Sequence, residues 1–226
     1  MARMTAQDMV TEARSSLYGE TTETLTDNQI LRWLNRAYMQ IASVFKPYEL
    51  SDSTTLTTSS GTATATSSAS NILDIDSLVD TTNNFTLRPW SEWQYHRATQ
   101  GDTSNITGTP VYWFVSGATI TNNESFRVFT FYPTPAGTYS INVNYTKKPD
   151  ELVLTPAPTT SLLLEPWDEA ILYTAISKGW AFLGDERKSS SWESKANSAA
   201  NVALSSNMVS SDVPFRPGSV IGNAMS

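Results

Sequence analysis

Residues 126–146 read FRVFTFYPTPAGTYSINVNYT, and their pattern decides the fold class. Tyr139, Ile141, Val143 and Tyr145 alternate with Ser140, Asn142, Asn144 and Thr146. A period of two puts the apolar set on one face of an extended chain, so this segment is predicted to be a half-buried strand. Residues 126–132 are β-branched and aromatic, which suits a second strand. Between them Pro133-Thr-Pro-Ala-Gly137 has turn chemistry. One step upstream, residues 111–115 are wholly apolar and predict a strand covered on both faces. The polar run Thr121-Asn-Asn-Glu-Ser125 then supplies a hairpin turn. Three successive strands joined by short turns predict an antiparallel meander.

Outward from this meander the period changes to that of helices. Thr5 with Asp8 forms a capping-box pattern ahead of a helix over residues 6–17. Capped by Thr26 or Asp27, a second helix carries Ile30, Leu31, Leu34, Ala37, Tyr38, Ile41, Ala42 and Phe45 as one stripe, and Pro47 stops it. Residues 51–70 are mostly Ser, Thr and Ala, and the alternation at 62–66 fits either an edge strand or a mobile loop. Ile72, Leu73 and Ile75 read as a short strand, with Leu78 and Val79 close behind, and residues 89–98 as a short helix or turn with Trp90, Trp93 and Tyr95. Helix returns at Pro166, with Ile171, Leu172, Ala175, Ile176, Gly179, Trp180 and Leu183 on a wide apolar face that Gly184 ends. A last helix over residues 190–209 shows a small-residue face of Trp192, Ala196, Ala199, Ala200 and Ala203, suited to close approach of another helix.

The order helices, strands, helices predicts an α+β fold: a helical bundle from the N- and C-terminal helices, an inserted antiparallel β region, and an extended C-terminal tail. The expected divisions are N-terminal helices over 1–49, the β region over 50–154, C-terminal helices over 155–209 packing on the N-terminal ones, and a tail over 210–226.

Composition narrows the chemistry. Of 226 residues, 39 % are hydrophobic, enough for a core, while only 16 % are charged, and Ser and Thr fill about a quarter of the chain. Hydroxyls in place of charges suit subunit contacts, because burying a charge is costly. The net charge of −7 opposes any grip on a phosphate backbone through counterion release. With no cysteine, disulfides and thiolate metal sites are excluded. The opening Met1-Ala-Arg-Met-Thr-Ala-Gln-Asp8 has no apolar signal core, and no stretch of about 18 apolar residues predicts a membrane span. His96 is the single histidine and reads as a surface or packing residue. Asp74 and Asp76 share one face of a strand, as a cation or acid/base pair would, but two solvated carboxylates satisfy the same pattern. Nucleotide-binding glycine loops and a Gly-x-Ser-x-Gly elbow are missing. Neither an enzyme nor a cofactor is expected.

Several motifs in order carry a resemblance. They are Trp33-Leu34-Asn35-Arg36-Ala37-Tyr38, Gly108-x-Pro110-x-Tyr112-Trp113, Phe129-x-Phe131-Tyr132-Pro133-x-Pro135, Tyr139-x-Ile141-x-Val143-x-Tyr145, Lys148-Pro149-x-x-Leu152 and Glu165-Pro166-Trp167. Together they resemble bacteriophage head-to-tail adaptors, the connector and tubular tail proteins of the neck. The Ser/Thr/Ala stretch at 51–70 departs from that pattern, where a more apolar pair of strands is expected. The resemblance implies a structural virion protein, assembled in the host cytoplasm. By the same resemblance it would form a ring of about twelve copies below the portal, a closed set of identical contacts. Its partners would be the portal, a tail or nozzle protein and copies of itself, with no membrane, and double-stranded DNA would pass through without specific binding. Val213, Phe215, Arg216, Val220 and Ile221 in the tail would dock on the portal, since Val213, Phe215, Val220 and Ile221 are too apolar for a solvated end and Phe215 and Arg216 are interface-anchor types. Trp192, Ala196, Ala199 and Ala203 are the candidates for subunit packing. Alternatives are another neck or tail-completion protein, or a glycan- or receptor-binding β module of a tail that uses the tryptophans.

Overall fold

The computed structural model describes residues 3–17, 25–99, 106–155, 157–160, 163 and 165–210. The element order is α1 (Ala6–Ser16), α2 (Asp27–Phe45), a 3-10 turn (Tyr48–Leu50), β1 (Ser51–Thr57), β2 (Thr64–Thr66), β3 (Ile72–Asp80), β4 (Phe85–Pro89), α3 (Glu92–Thr99), β5 (Thr107–Gly108), β6 (Tyr112–Thr121), β7 (Glu124–Tyr132), β8 (Thr134–Pro135), β9 (Ser140–Lys147), α4 (Glu165–Phe182) and α5 (Glu186–Ser210). They fall into two compact units.

The first unit holds α1, residues 27–37 of α2, α4 and α5. Its helices start where local chemistry starts them. Thr5 Oγ1 accepts from the Asp8 amide while the Asp8 carboxylate accepts from the Thr5 amide at 2.9 Å, so two of the open donors at the start of α1 are satisfied. Thr26 caps α2, its hydroxyl accepting from the Gln29 amide. Arg14 donates to the Leu25 carbonyl at 2.6 Å and pairs with Asp27, tying the last turn of α1 to the first of α2. Within this unit Ile30, Leu34 and Ala37 of the stripe read from sequence are covered, Leu31 is half-buried, Trp33 is covered as well, and Arg32 and Arg36 are exposed. Close packing centres on Gly179, where an added Cβ would lie 2.7 Å from Leu17 Cδ1 and 3.1 Å from Trp33 Cζ3. Any side chain there would have to displace the tip of Leu17 and press on Trp33, so glycine is what lets α4 approach that near. α5 runs along α4, and Ser177 Oγ donates to the Ser189 carbonyl at 3.0 Å.

The second unit, Tyr38–Leu152 with residues 161–163, is built on one seven-stranded sheet in the order β1-β9-β3-β4-β6-β7-β2. Its core is Leu56, Ile72, Leu78, Leu87, Trp113, Phe129, Phe131, Ile141, Val143 and Tyr145, drawn from six of the strands. β9 alternates as its sequence requires, with Ile141, Val143 and Tyr145 buried, and on the other face Asn144 Nδ2 donates to Ser77 Oγ. The sheet curls, so that Thr54 of edge strand β1 meets Ser68, just past the opposite edge strand β2, with their hydroxyls 2.6 Å apart.

This architecture corrects the expected one. The fold is α+β, but the frame is a large curled seven-stranded sheet with five helices among the described residues, not a helical bundle carrying an inserted β region. Nor is the pairing purely antiparallel, since β4 with β6 and β5 with β8 are parallel. The meander fails at its second step. β6 and β7 form the expected hairpin, but β9 leaves β7 and pairs with β1 and β3. Proline lacks an amide donor and cannot continue a ladder. The Pro133–Pro135 segment instead lies alongside β5, with Thr134 N donating to the Ile106 carbonyl and Ala136 N to the Gly108 carbonyl, both at 3.0 Å. β2 then takes the free edge of β7. Both edges of the sheet are thus hydroxyl-rich strands from the 51–70 stretch, and the edge-strand reading of 62–66 is the one the structure adopts. The expectation that 111–115 is covered on both faces holds only for Trp113 and Phe114; Val111 and Tyr112 are half-buried and Val115 is exposed.

Candidate interaction surfaces

Two groups of side chains stand out, one in each unit. In the sheet unit the parallel pairing of β4 with β6 sets Arg88 opposite Tyr112 and Pro89 opposite Trp113. Trp90, its amide bonded to the Trp113 carbonyl at 2.8 Å, then lays its ring on Tyr112, with centroids 4.1 Å apart and planes 12° from parallel, and beside Tyr132 at 5.1 Å. Ser91 and Gln94 close a capping box that launches α3 directly from this strand end. α3 buries Tyr95 against Phe114, while Trp93 points outward, 65 % exposed, with the Arg97 guanidinium 5.3 Å from its ring centroid. Arg88 is exposed as well. Tryptophan, tyrosine and arginine on a rigid base are the residue types that anchor interfaces, and flat rings can also stack on sugars. His96, exposed, lies 3.6 Å from Glu92 one helical turn back.

In the helical unit the α4–α5 hairpin turns on two residues. Gly184, at φ +80°, occupies the left-handed conformation that closes α4: the Asp185 amide bonds to the Trp180 carbonyl and the Gly184 amide to that of Ala181. Asp185 then caps α5 by accepting from the Lys188 amide at 3.0 Å. That hydrogen bond, joined by the side-chain bond to Lys188 and the charges of Lys188 and Arg187, holds the Asp185 carboxyl below its ordinary 3.8 despite the opposing cost of burial. Asp8 is likewise lowered by its bonds to the Thr5 side chain and amide. A carboxyl lowered in the folded state contributes stability that is present above its unfolded pKa and lost as pH falls through the folded one. We therefore expect melting temperature to fall on acidification below about pH 4, near the unperturbed value, and Asp8→Asn with Asp185→Asn to flatten that limb. An unchanged acid limb in the double variant, followed by circular dichroism, contradicts the assignment.

The candidate packing face of α5 is placed as follows. Ala196, Ala200 and Ala203 are buried within the chain, Ala199 is half-buried, and half-buried Trp192 meets Tyr173 of α4 at 5.5 Å, with Lys195 Nζ 3.9 Å from its ring centroid. Close approach by a helix is thus met within the chain, by α4. Val213, Phe215, Arg216, Val220 and Ile221 lie outside the described residues. Asp74 pairs with Lys46, and no cluster of three or more potential metal ligands occurs among the described residues. No described helix is long and apolar enough to cross a membrane.

Sequence reading named the aromatic residues but not their stack, because a parallel β4–β6 contact between segments more than twenty positions apart leaves no local pattern. It also missed the Ser91–Gln94 capping box, which was legible as a Ser followed three residues later by Gln. A family model described as SU10 adaptor protein matches residues 4–218 of the chain. No curated protein matches it.

Proposed function

This chain belongs to the SU10 adaptor protein family, and from that premise we propose that it is the subunit of a ring joining a phage head to its tail. It is a phage adaptor, a structural component of the virion. The family match over residues 4–218 is the observation that carries the reading. About twelve copies would stack below the portal and meet a tail or nozzle protein on the other side, since identical head-to-tail contacts close into a ring. DNA would pass through the lumen. At −7 per chain, twelve copies carry 12 × −7, roughly −84, a field that keeps DNA off the wall. Assembly would take place in the host cytoplasm, with the free protein monomeric or weakly associated and closing into a ring only on its portal.

The tail after α5 supplies the portal dock in this reading. Val213, Phe215, Val220 and Ile221 are apolar, Arg216 is an anchor type, and Pro214 and Pro217 oppose continuation of the helix. Subunit packing would use the outer side of α5 around Trp192 and Ala199, neither of which is fully covered by α4, with Ala196 and Ala203 lining the buried side. Truncation after Ser210 is expected to leave circular dichroism and melting unchanged and to abolish joining to portal-containing heads, scored by electron microscopy. Heads that accept the truncated chain as well as the full one rule the tail out.

A second reading, a glycan- or receptor-binding β module, is favoured by exposed Trp93 beside Arg97. It requires sugar binding by the free protein that Trp93→Ala removes, in a monomer or trimer indifferent to heads.

A further inference from the structure

The β6–β7 hairpin outgrows the sheet that bears it. β4 pairs with β6 only at Tyr112 and Trp113, and β2 pairs with β7 only from Val128 to Thr130. Past Ser67 N, which donates to the Arg127 carbonyl, no described strand flanks the hairpin on either edge. The ladder nevertheless continues through Gly117↔Val128, Ala118↔Arg127, Thr119↔Phe126, Ile120↔Ser125 and Thr121↔Glu124. It closes at Asn122 and Asn123, whose φ of 53° and 65° are those of a tight two-residue turn. Ser116 is the extra residue where the register shifts and the ribbon leaves the sheet, and its Oγ accepts from Thr130 Oγ1 at 2.8 Å. Every residue of β6 from Val115 onward is exposed, and Ile120 is 75 % exposed.

A two-stranded ribbon with both edges open is marginal in water. Chains that leave such edges free usually blunt them with lysine or proline. Residues 116–127 contain neither, and offer only the bulge at Ser116, at the base of the ribbon, and the pair Glu124 and Arg127. Their charge narrows the partner. Glu124 and Arg127 cancel, so the ribbon is neutral in a chain of −7. DNA requires a cationic surface. A basic protein would be held better by the acidic remainder of the chain. A second copy of this acidic chain is instead repelled wherever the net charge is exposed and is accepted on neutral surface. We propose that residues 116–127 are a grip, additional to the α5 contact, by which each copy holds the next in the ring, through main-chain pairing along the ribbon edges and burial of Ile120. This rests on the adaptor reading. A donor ribbon landing on a different surface of its neighbour is a heterologous contact, the kind that closes rings.

Because the chain has no cysteine, Ile120→Cys carries a single thiol for a benzophenone photo-cross-linker. In purified heads bearing the chain, illumination is expected to yield a product of twice the chain's mass. A product with the portal or a tail protein, or no product, overturns the proposal. Ile120→Asp supplies the second arm: melting stays unchanged, and occupancy on heads falls about tenfold or more at equal protein concentration, from like-charge repulsion at the contact. Parent-like occupancy of Ile120→Asp also overturns it. Failure of the parent chain itself to enter heads sinks the adaptor reading and not the ribbon's role alone.

Discussion

Trp180→Ala lowers the unfolding free energy of the helical unit by about 3–5 kcal/mol, the range for deleting a buried tryptophan. The side chain is 5 % exposed on the face of α4 that also buries Ala175 and Ile176. Its ring is further held by the Lys188 ammonium, 4.0 Å from the centroid. Its neighbour Gly179 marks where Leu17 and Trp33 press closest, so the helix backbone cannot readily settle into the space that alanine leaves. Phe182→Ala is the internal control. Phe182 lies two residues on and touches Trp33 at 5.6 Å, but it is 61 % exposed, and its loss is expected to cost under about 1 kcal/mol. Urea denaturation with an unchanged slope checks both. A Trp180→Ala cost below about 1 kcal/mol would show that this face of α4 is not core.

Phe129→Ala is expected to destabilise the sheet unit by a similar amount, about 3–5 kcal/mol. Phe129 is fully buried on β7, opposite Val115 on one side and Ala65 on the other, with its ring 5.9 Å from Trp113. The residue holds two neighbouring strands and the core together, so its removal opens a cavity bounded by a ladder that cannot close in. Phe129→Leu keeps most of the volume and should cost less than about 1.5 kcal/mol. Equal effects of the two substitutions, measured by the same denaturation, would mean that packing at this position is not what stabilises the sheet.

The functional surfaces divide along the same line as the fold. The small-residue face of α5 was legible because its spacing is helical, but only the folded chain shows that Ala196 and Ala203 are buried within it, where α5 packs on α4. Trp90 and Trp93 were visible as aromatic. Their separate roles, one stacked on Tyr112 and the other exposed under Arg97, follow from the direction in which α3 leaves β4. Nothing local marks the outer half of the β6–β7 hairpin as projecting, since Ser, Gly, Ala and Thr suit a covered strand as well as a bare one.

What the amino-acid sequence determined by itself is what near neighbours decide. The apolar stripe of α2, the Thr5–Asp8 capping box, the left-handed Gly184 stop, the Asn122-Asn123 hairpin turn and the alternation of β9 all arise from residues within a few positions of one another. Their physics is side-chain periodicity, capping and turn conformation. Tertiary structure alone decided which strands meet. β1 buries a single large side chain, Leu56, and joins the sheet chiefly through backbone hydrogen bonds to β9, nearly ninety positions away. Backbone donors and acceptors are the same in every residue except proline, so such pairing writes almost nothing into the side chains. Hence the sequence could show that β9 is a strand, while only the assembled sheet could place it between β1 and β3 instead of beside β7.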